Sequence, residues 1–186
     1  MDQPKKGKKN AGFSCLVKKY VAPELAQNDF SMTKAENDYY IFYKNTNAAE
    51  RIMLSNNNRR KIVTCALRRN PDTGGHIFLI SIHRLVRLFG TAEEKEVFRF
   101  SNQSIYYTTE EELLGALEFC VDMIQRYSAD FYAGVLDELL FATMKQYESW
   151  RERQVAEMGE QAFMDQRMEE SDLWKKQRFS SKRWSL

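Results

Sequence analysis

The chain has 186 residues, 43% of them apolar and 13% aromatic, enough for one hydrophobic core and too much for a wholly disordered polypeptide. Its formal net charge of +2 hides three blocks: 18 Lys/Arg against 10 Asp/Glu over residues 1–109, 5 against 16 over 110–172, and five cations with no acid over 173–186. No run approaches the roughly 18 apolar residues of a membrane span, no apolar signal core follows the basic N-terminus, and Cys15, Cys65 and Cys120 lack metal or redox spacing, which points to reduced thiols in a cytoplasmic protein.

Residues 1–12, with Lys5, Lys6, Lys8 and Lys9, read as a basic, solvated terminus. Over 13–27, Phe13, Leu16, Val17, Tyr20, Val21 and Leu25 recur at three- and four-residue steps and predict a helix with one apolar face. Pro23 lies inside it and either kinks it or starts a second short helix at Glu24, because it has no N–H to donate.

The period changes to two at Asp38. Strands are expected at Tyr39–Tyr43, Arg51–Ser55, Lys61–Leu67 and His76–Ile82, with turns at Asn56–Asn58 and Asn70–Gly75. Val97–Phe100 and Ile105–Tyr107 are candidates for one or two more. The short connections imply an antiparallel meander, since parallel pairing needs long crossovers. A helical link over Leu85–Phe89, ending at Gly90, is an alternative reading of that stretch.

Thr109 followed by Glu112 is a capping box, and acids at 110–112 suit a first helical turn. Leu113, Leu117, Cys120, Val121, Ile124 and Tyr127 then predict a buried helical stripe, with a break near Ser128–Asp130 before the apolar run from Phe131 to Leu140. Beyond Phe141 the pattern is a thin apolar stripe on a long polar helix, which needs packing against the domain or a second copy of the chain for its stability. The expected class is therefore α+β: an N-terminal helix, an antiparallel meander of four to six strands, and a helical C-terminal part with a long amphipathic helix. The expected parts are a basic terminus (1–12), an α+β domain (13–140) and a helical extension with a basic aromatic tail (141–186).

No constellation carries chemistry. His76 and His83 match no zinc spacing, and His83 reads as a strand-end residue. The cysteines fall on apolar faces, where thiols are inert, and phosphate-cradling, zinc-protease and nucleophile-elbow motifs are missing. The acid clusters at 110–112, 137–138 and 169–172 are explained by capping and by solvated helix faces. No catalytic residue, metal ligand or cofactor is expected, and the chain reads as no enzyme.

Charge offers two binding surfaces. Arg51, Arg59, Arg60, Lys61, Arg68 and Arg69 place six cations over residues 51–69 without an acid between them. With strand aromatics Tyr39, Tyr43 and Phe78, a basic sheet face using Arg59, Arg60, Lys61, Arg68 and Arg69 would track phosphates and stack bases. The other surface is the acidic helical stretch, with Glu148, Glu152 and Glu157, which suits a basic protein partner. Trp174 and Trp184 interleave with cations in the tail, and the acidic helices of the same chain are the electrostatically favoured place for that tail to dock.

Tyr106-Tyr-Thr-Thr-Glu-Glu-Glu-Leu-Leu-Gly-Ala-Leu117, following a helix and a meander and leading to Phe131-Tyr132, resembles an uncharacterised bacterial family of small helix–meander–helix domains. Some of these are similar to immunity proteins that neutralise a toxin by binding it. The resemblance implies a bacterial, non-catalytic protein-binding module and supplies no catalytic residues. A homodimer through residues 141–165 is a compatible addition, and a nucleic-acid-binding protein is the alternative.

Overall fold

A computed structural model describes residues 12–35, 38–70, 78–97, 104–166 and 182–184. The first helical region is continuous from 13 to 26 but changes its winding: α1 (Phe13–Leu16), a π-helical turn (Val17–Val21) and α2 (Ala22–Ala26). Pro23 sits in the first turn of α2, where a missing N–H costs least. The wide turn just before it is a known way to absorb the ring without breaking the helix.

Five strands follow in sequence order, β1 (Phe30–Ala35), β2 (Tyr39–Lys44), β3 (Arg51–Asn57), β4 (Ile62–Arg69) and β5 (Phe78–Ser81). Each pairs antiparallel with the next, and β6 (Ile105–Tyr106) joins the near end of β4 beyond the reach of β5. β1 has no counterpart among the expected strands, although Phe30-Ser-Met-Thr alternates apolar and polar as a half-buried strand should.

Three expected elements shift. β3 runs on through Asn56, which is buried and accepts a hydrogen bond from the Tyr107 hydroxyl at 2.9 Å; the turn therefore starts at Asn58, and Lys61 takes φ +54° in it. The strand expected over His76–Ile82 ends at Ser81, whose hydroxyl caps α3 (Ile82–Phe89) by accepting from Arg84 N–H at 3.3 Å. His83 is thus a buried helix residue, not a strand end. Val97 closes α4 (Ala92–Val97) and is no strand. Thr91 and Glu94 cap that helix reciprocally, at 2.8 and 3.2 Å, the same signal that marks the next one. Residues 71–77 and 98–100 lie outside the described residues.

α5 (Glu110–Tyr132) has the full capping box at Thr109 and Glu112 and runs without the break expected near Ser128. Its end is set by Gly134 at φ +77°, a conformation that side chains with a Cβ resist. α6 (Asp137–Met158) follows, then Gly159 and a further helical stretch over 160–166.

The strands alternate cleanly. Tyr40, Phe42, Ile52, Leu54, Val63, Cys65 and Leu67 are buried on one face, under α5, α3 and the N-terminal helices. Burying them beneath Leu114, Leu117, Val121, Ile124 and Phe131 of α5 supplies the main driving force, roughly 1.5–3 kcal/mol per large side chain. Cys65 of β4 and Cys120 of α5 share a hydrogen bond in this core, which with burial pushes the Cys65 thiol well up. The side chains of the opposite face, among them Tyr39, Ile41, Tyr43, Met53, Thr64 and Ala66, are half-buried. No described helix is long and apolar enough to cross a membrane.

Candidate functional site

α6 and the turn before it carry most of the unburied apolar surface. Among the described residues, seven large apolar side chains are exposed. Six of them fall between 135 and 164: Val135, Leu139, Phe141, Trp150, Met158 and Met164. At about 100° per residue, Leu139, Trp150 and Glu157 fall on one line of α6, and Phe141, Glu148 and Glu152 fall on the opposite line. The first line is partly covered. Trp150 meets Phe163 edge-on at 5.8 Å, Phe163 is buried, and Arg151 pairs with Glu160 at 3.4 Å, so residues 160–166 fold back there. On the second line Phe141 is half exposed and both glutamates are exposed. The structure therefore joins Glu148 and Glu152 but separates Glu157, which also accepts from Gln154 Nε2 at 3.3 Å.

The arm is fixed at its root. Arg69 pairs with Asp137 in the first turn of α6, and its guanidinium lies 5.5 Å from the Phe131 ring centroid. Gly134 lets the chain turn tightly here: a Cβ on it would stand 3.3 Å from Arg69 Nη1.

That pairing divides the basic strand. Arg69 belongs to the helix-facing side of β4 with Val63, Cys65 and Leu67, so the cations expected to share one basic face do not all share it. Arg68 belongs to the opposite face, where it is the direct neighbour of Arg51 on β3 and of Leu79 on β5. Arg51 is the next member of the same row after Tyr43, and its guanidinium lies 4.8 Å from the Tyr43 ring centroid. Arg59, Arg60 and Lys61 are exposed in the β3–β4 turn, at the far end of β4. Lys61 Nζ is tied to Asn58 Oδ1 at 2.9 Å and lies 5.5 Å from the Tyr107 ring centroid. Arg51, one of the six cations over residues 51–69, joins the candidate face only through register, which makes it the partner of Arg68.

A cavity of about 640 Å³ opens beside this turn, lined by Phe13, Asp38, Asn56, Lys61, Tyr107 and Thr109 among others. Its polar groups mostly satisfy one another. Burial raises the Tyr107 phenol, which the Asn56 hydrogen bond opposes and the Asp38 charge supports. Thr108, in its lining, donates from its hydroxyl to Glu112 Oε2 at 2.6 Å, and among the described residues no three His, Cys, Asp or Glu side chains converge to hold a metal ion.

The tail returns to the domain. Trp184 stacks on Tyr20, with centroids 5.3 Å apart and planes 19° from parallel, and Arg183 pairs with Asp122 at 2.9 Å and Glu24 at 3.2 Å. Trp174 lies outside the described residues. Compared with known proteins, the chain matches no family model, no curated protein and no solved structure.

Proposed function

We propose that this protein is a non-catalytic protein-binding module of the cytoplasm, and that α6 is the element it presents to a basic partner. One observation carries the reading: exposed apolar side chains concentrate on this arm, and the helix line that carries Phe141 also carries the carboxylates of Glu148 and Glu152, about two and three turns further on. Exposed apolar side chains gathered on one element mark an interaction surface more than singly scattered ones do. Its helical anchors suit the groove of a partner, and its net negative charge would speed capture of a cationic one. Neutralisation of a basic toxin is the most concrete form of this role, and the order of segments supports it.

The test is affinity capture with the intact chain and with a Phe141→Ser/Glu148→Lys/Glu152→Lys variant, both treated with nuclease. The reading expects a near-stoichiometric protein that the variant loses. Equal recovery by both would refute it. Self-association through the same face would appear as a doubling of particle mass that the variant abolishes.

A second reading rests on the opposite face of the sheet. Two arginines directly opposite one another repel, and the side chain of Arg68 makes no hydrogen bond or ion pair among the described residues. Together with Tyr43 and Tyr39 on the same face, that is a place for a phosphate and a stacked base. Single-stranded nucleic acid bound there would lose affinity steeply with salt and on Arg51→Glu or Arg68→Glu substitution. It would be indifferent to the α6 variant.

A further inference from the structure

Glu24, Glu118 and Asp122 bring three carboxylates from two elements to one notch on the outer side of α5, beside the ring of Tyr20. Glu118 is only 8% exposed. Burial raises the carboxyl of Asp122, with Glu118 and Glu24 adding to the rise and Arg183 and Arg126 opposing it. Three acids this close are poorly compatible with an empty, partly dehydrated notch, and they demand a cation.

What fills the notch is read at three points. Glu118 Oε2 accepts the backbone N–H of Lys182 at 2.8 Å. The guanidinium of Arg183 is divided between two carboxylates, Nη1 to Asp122 and Nη2 to Glu24. Trp184 lies flat on Tyr20, whose ring also has Lys19 Nζ 4.6 Å from its centroid. A main-chain bond sets the register, a fork selects arginine, and an aromatic face selects a planar side chain after it. These are the elements of peptide recognition, built here from three consecutive residues.

We propose that this notch is a binding site for segments of the type basic–Arg–Trp, and that the chain's own tail is its resident ligand, held in cis. The contacts are of an exchangeable kind: Arg183 is 38% exposed and its partner Asp122 46%, so solvent screens that pair, while Glu24 at 19% is more enclosed. The tail thereby guards the notch against weak basic competitors and yields it to a partner segment of the same chemistry. The identity of that competitor rests on the protein-binding reading above; the existence of the site does not.

The experiment uses full-length protein and a fluorescently labelled peptide with the sequence of residues 179–186. In an Arg183→Ala/Trp184→Ala variant the notch is vacated, and the peptide is expected to bind saturably. On the wild-type chain a tethered copy competes at an effective concentration on the order of millimolar, so the same peptide should bind far more weakly. Adding Glu24→Gln and Asp122→Asn to the vacated variant should weaken binding roughly ten- to hundredfold.

Far-UV circular dichroism establishes that each variant is folded, and Trp184→Ala alone, which keeps the ion pairs, should give an intermediate affinity. A folded, vacated variant that does not bind the peptide overturns the proposal. So does equal binding to wild type and vacated variant, because the peptide would then sit elsewhere. Neither result bears on α6, which the peptide does not need.

Discussion

Arg69 reaches from the end of β4 to Asp137, the first residue of α6, with its guanidinium over the Phe131 ring. This places the last residue of a sheet strand against the root of the exposed arm. The pair is mostly buried, Arg69 at 12% side-chain exposure and Asp137 at 29%, so removing one partner strands the other. Arg69→Ala should destabilise the fold by roughly 1–3 kcal/mol. In a double-mutant cycle with Asp137→Ala the second loss should be much smaller than the first, as measured by urea unfolding; independent, additive losses would show that the two side chains do not act together.

Tyr40 is fully buried under Phe13, with ring centroids 5.8 Å apart, and its hydroxyl has no hydrogen-bond partner among the described residues. A buried polar group left unpaired costs about 1–3 kcal/mol. Tyr40→Phe keeps the ring and removes that cost, so the midpoint of chemical denaturation should stay level or rise. A clear fall would mean that the hydroxyl is satisfied after all.

Much of this architecture is legible in the residues. Thr109 and Glu112 announce α5, and the period-two run at Tyr39–Tyr43 announces β2, whereas the Asn run marks its turn only from Asn58 onward. β1 and α4 carried equally ordinary signals, an alternation at Phe30–Thr33 and a Thr91–Glu94 capping box, overlooked beside the stronger patterns around them. Ile82 and His83 extend an apolar strand-like run, and only the Ser81 cap turns them into helix. The candidate surfaces were harder. Spacing cannot show that Arg68 and Arg69 face opposite ways into different company, nor that Arg51 is the partner of Arg68. Both follow from strand register, which is a tertiary property.

Tyr132 donates from its hydroxyl to the Arg51 carbonyl at 2.8 Å, and burial pushes its phenol far above the ordinary 10.0, with the charges of Cys65 and Glu50 adding to the rise. The sign follows directly. A group whose pKa is raised by folding contributes its stability below the unfolded value and loses it as pH climbs past that value. Unfolding free energy should therefore fall as pH rises above about 10, and in a Tyr132→Phe variant the fall should be shallower. Tyr107, raised in the same direction, leaves part of it in place. The substitution itself costs roughly 0.5–1.5 kcal/mol at neutral pH for the lost hydrogen bond. A pH profile unchanged by Tyr132→Phe would contradict this.

The central claim is that the Phe141, Glu148 and Glu152 line of α6 binds a protein. Its most direct measurement is the nuclease-treated capture with wild type and the Phe141→Ser/Glu148→Lys/Glu152→Lys variant, with an Arg59→Glu/Arg60→Glu variant in parallel. Phe141 is half exposed and Glu148 and Glu152 are exposed, so the fold should survive the change. The account predicts one near-stoichiometric protein, retained by wild type and by the turn variant and lost by the α6 variant. A partner retained by the α6 variant, or one that disappears with nuclease and with the turn variant, would contradict it.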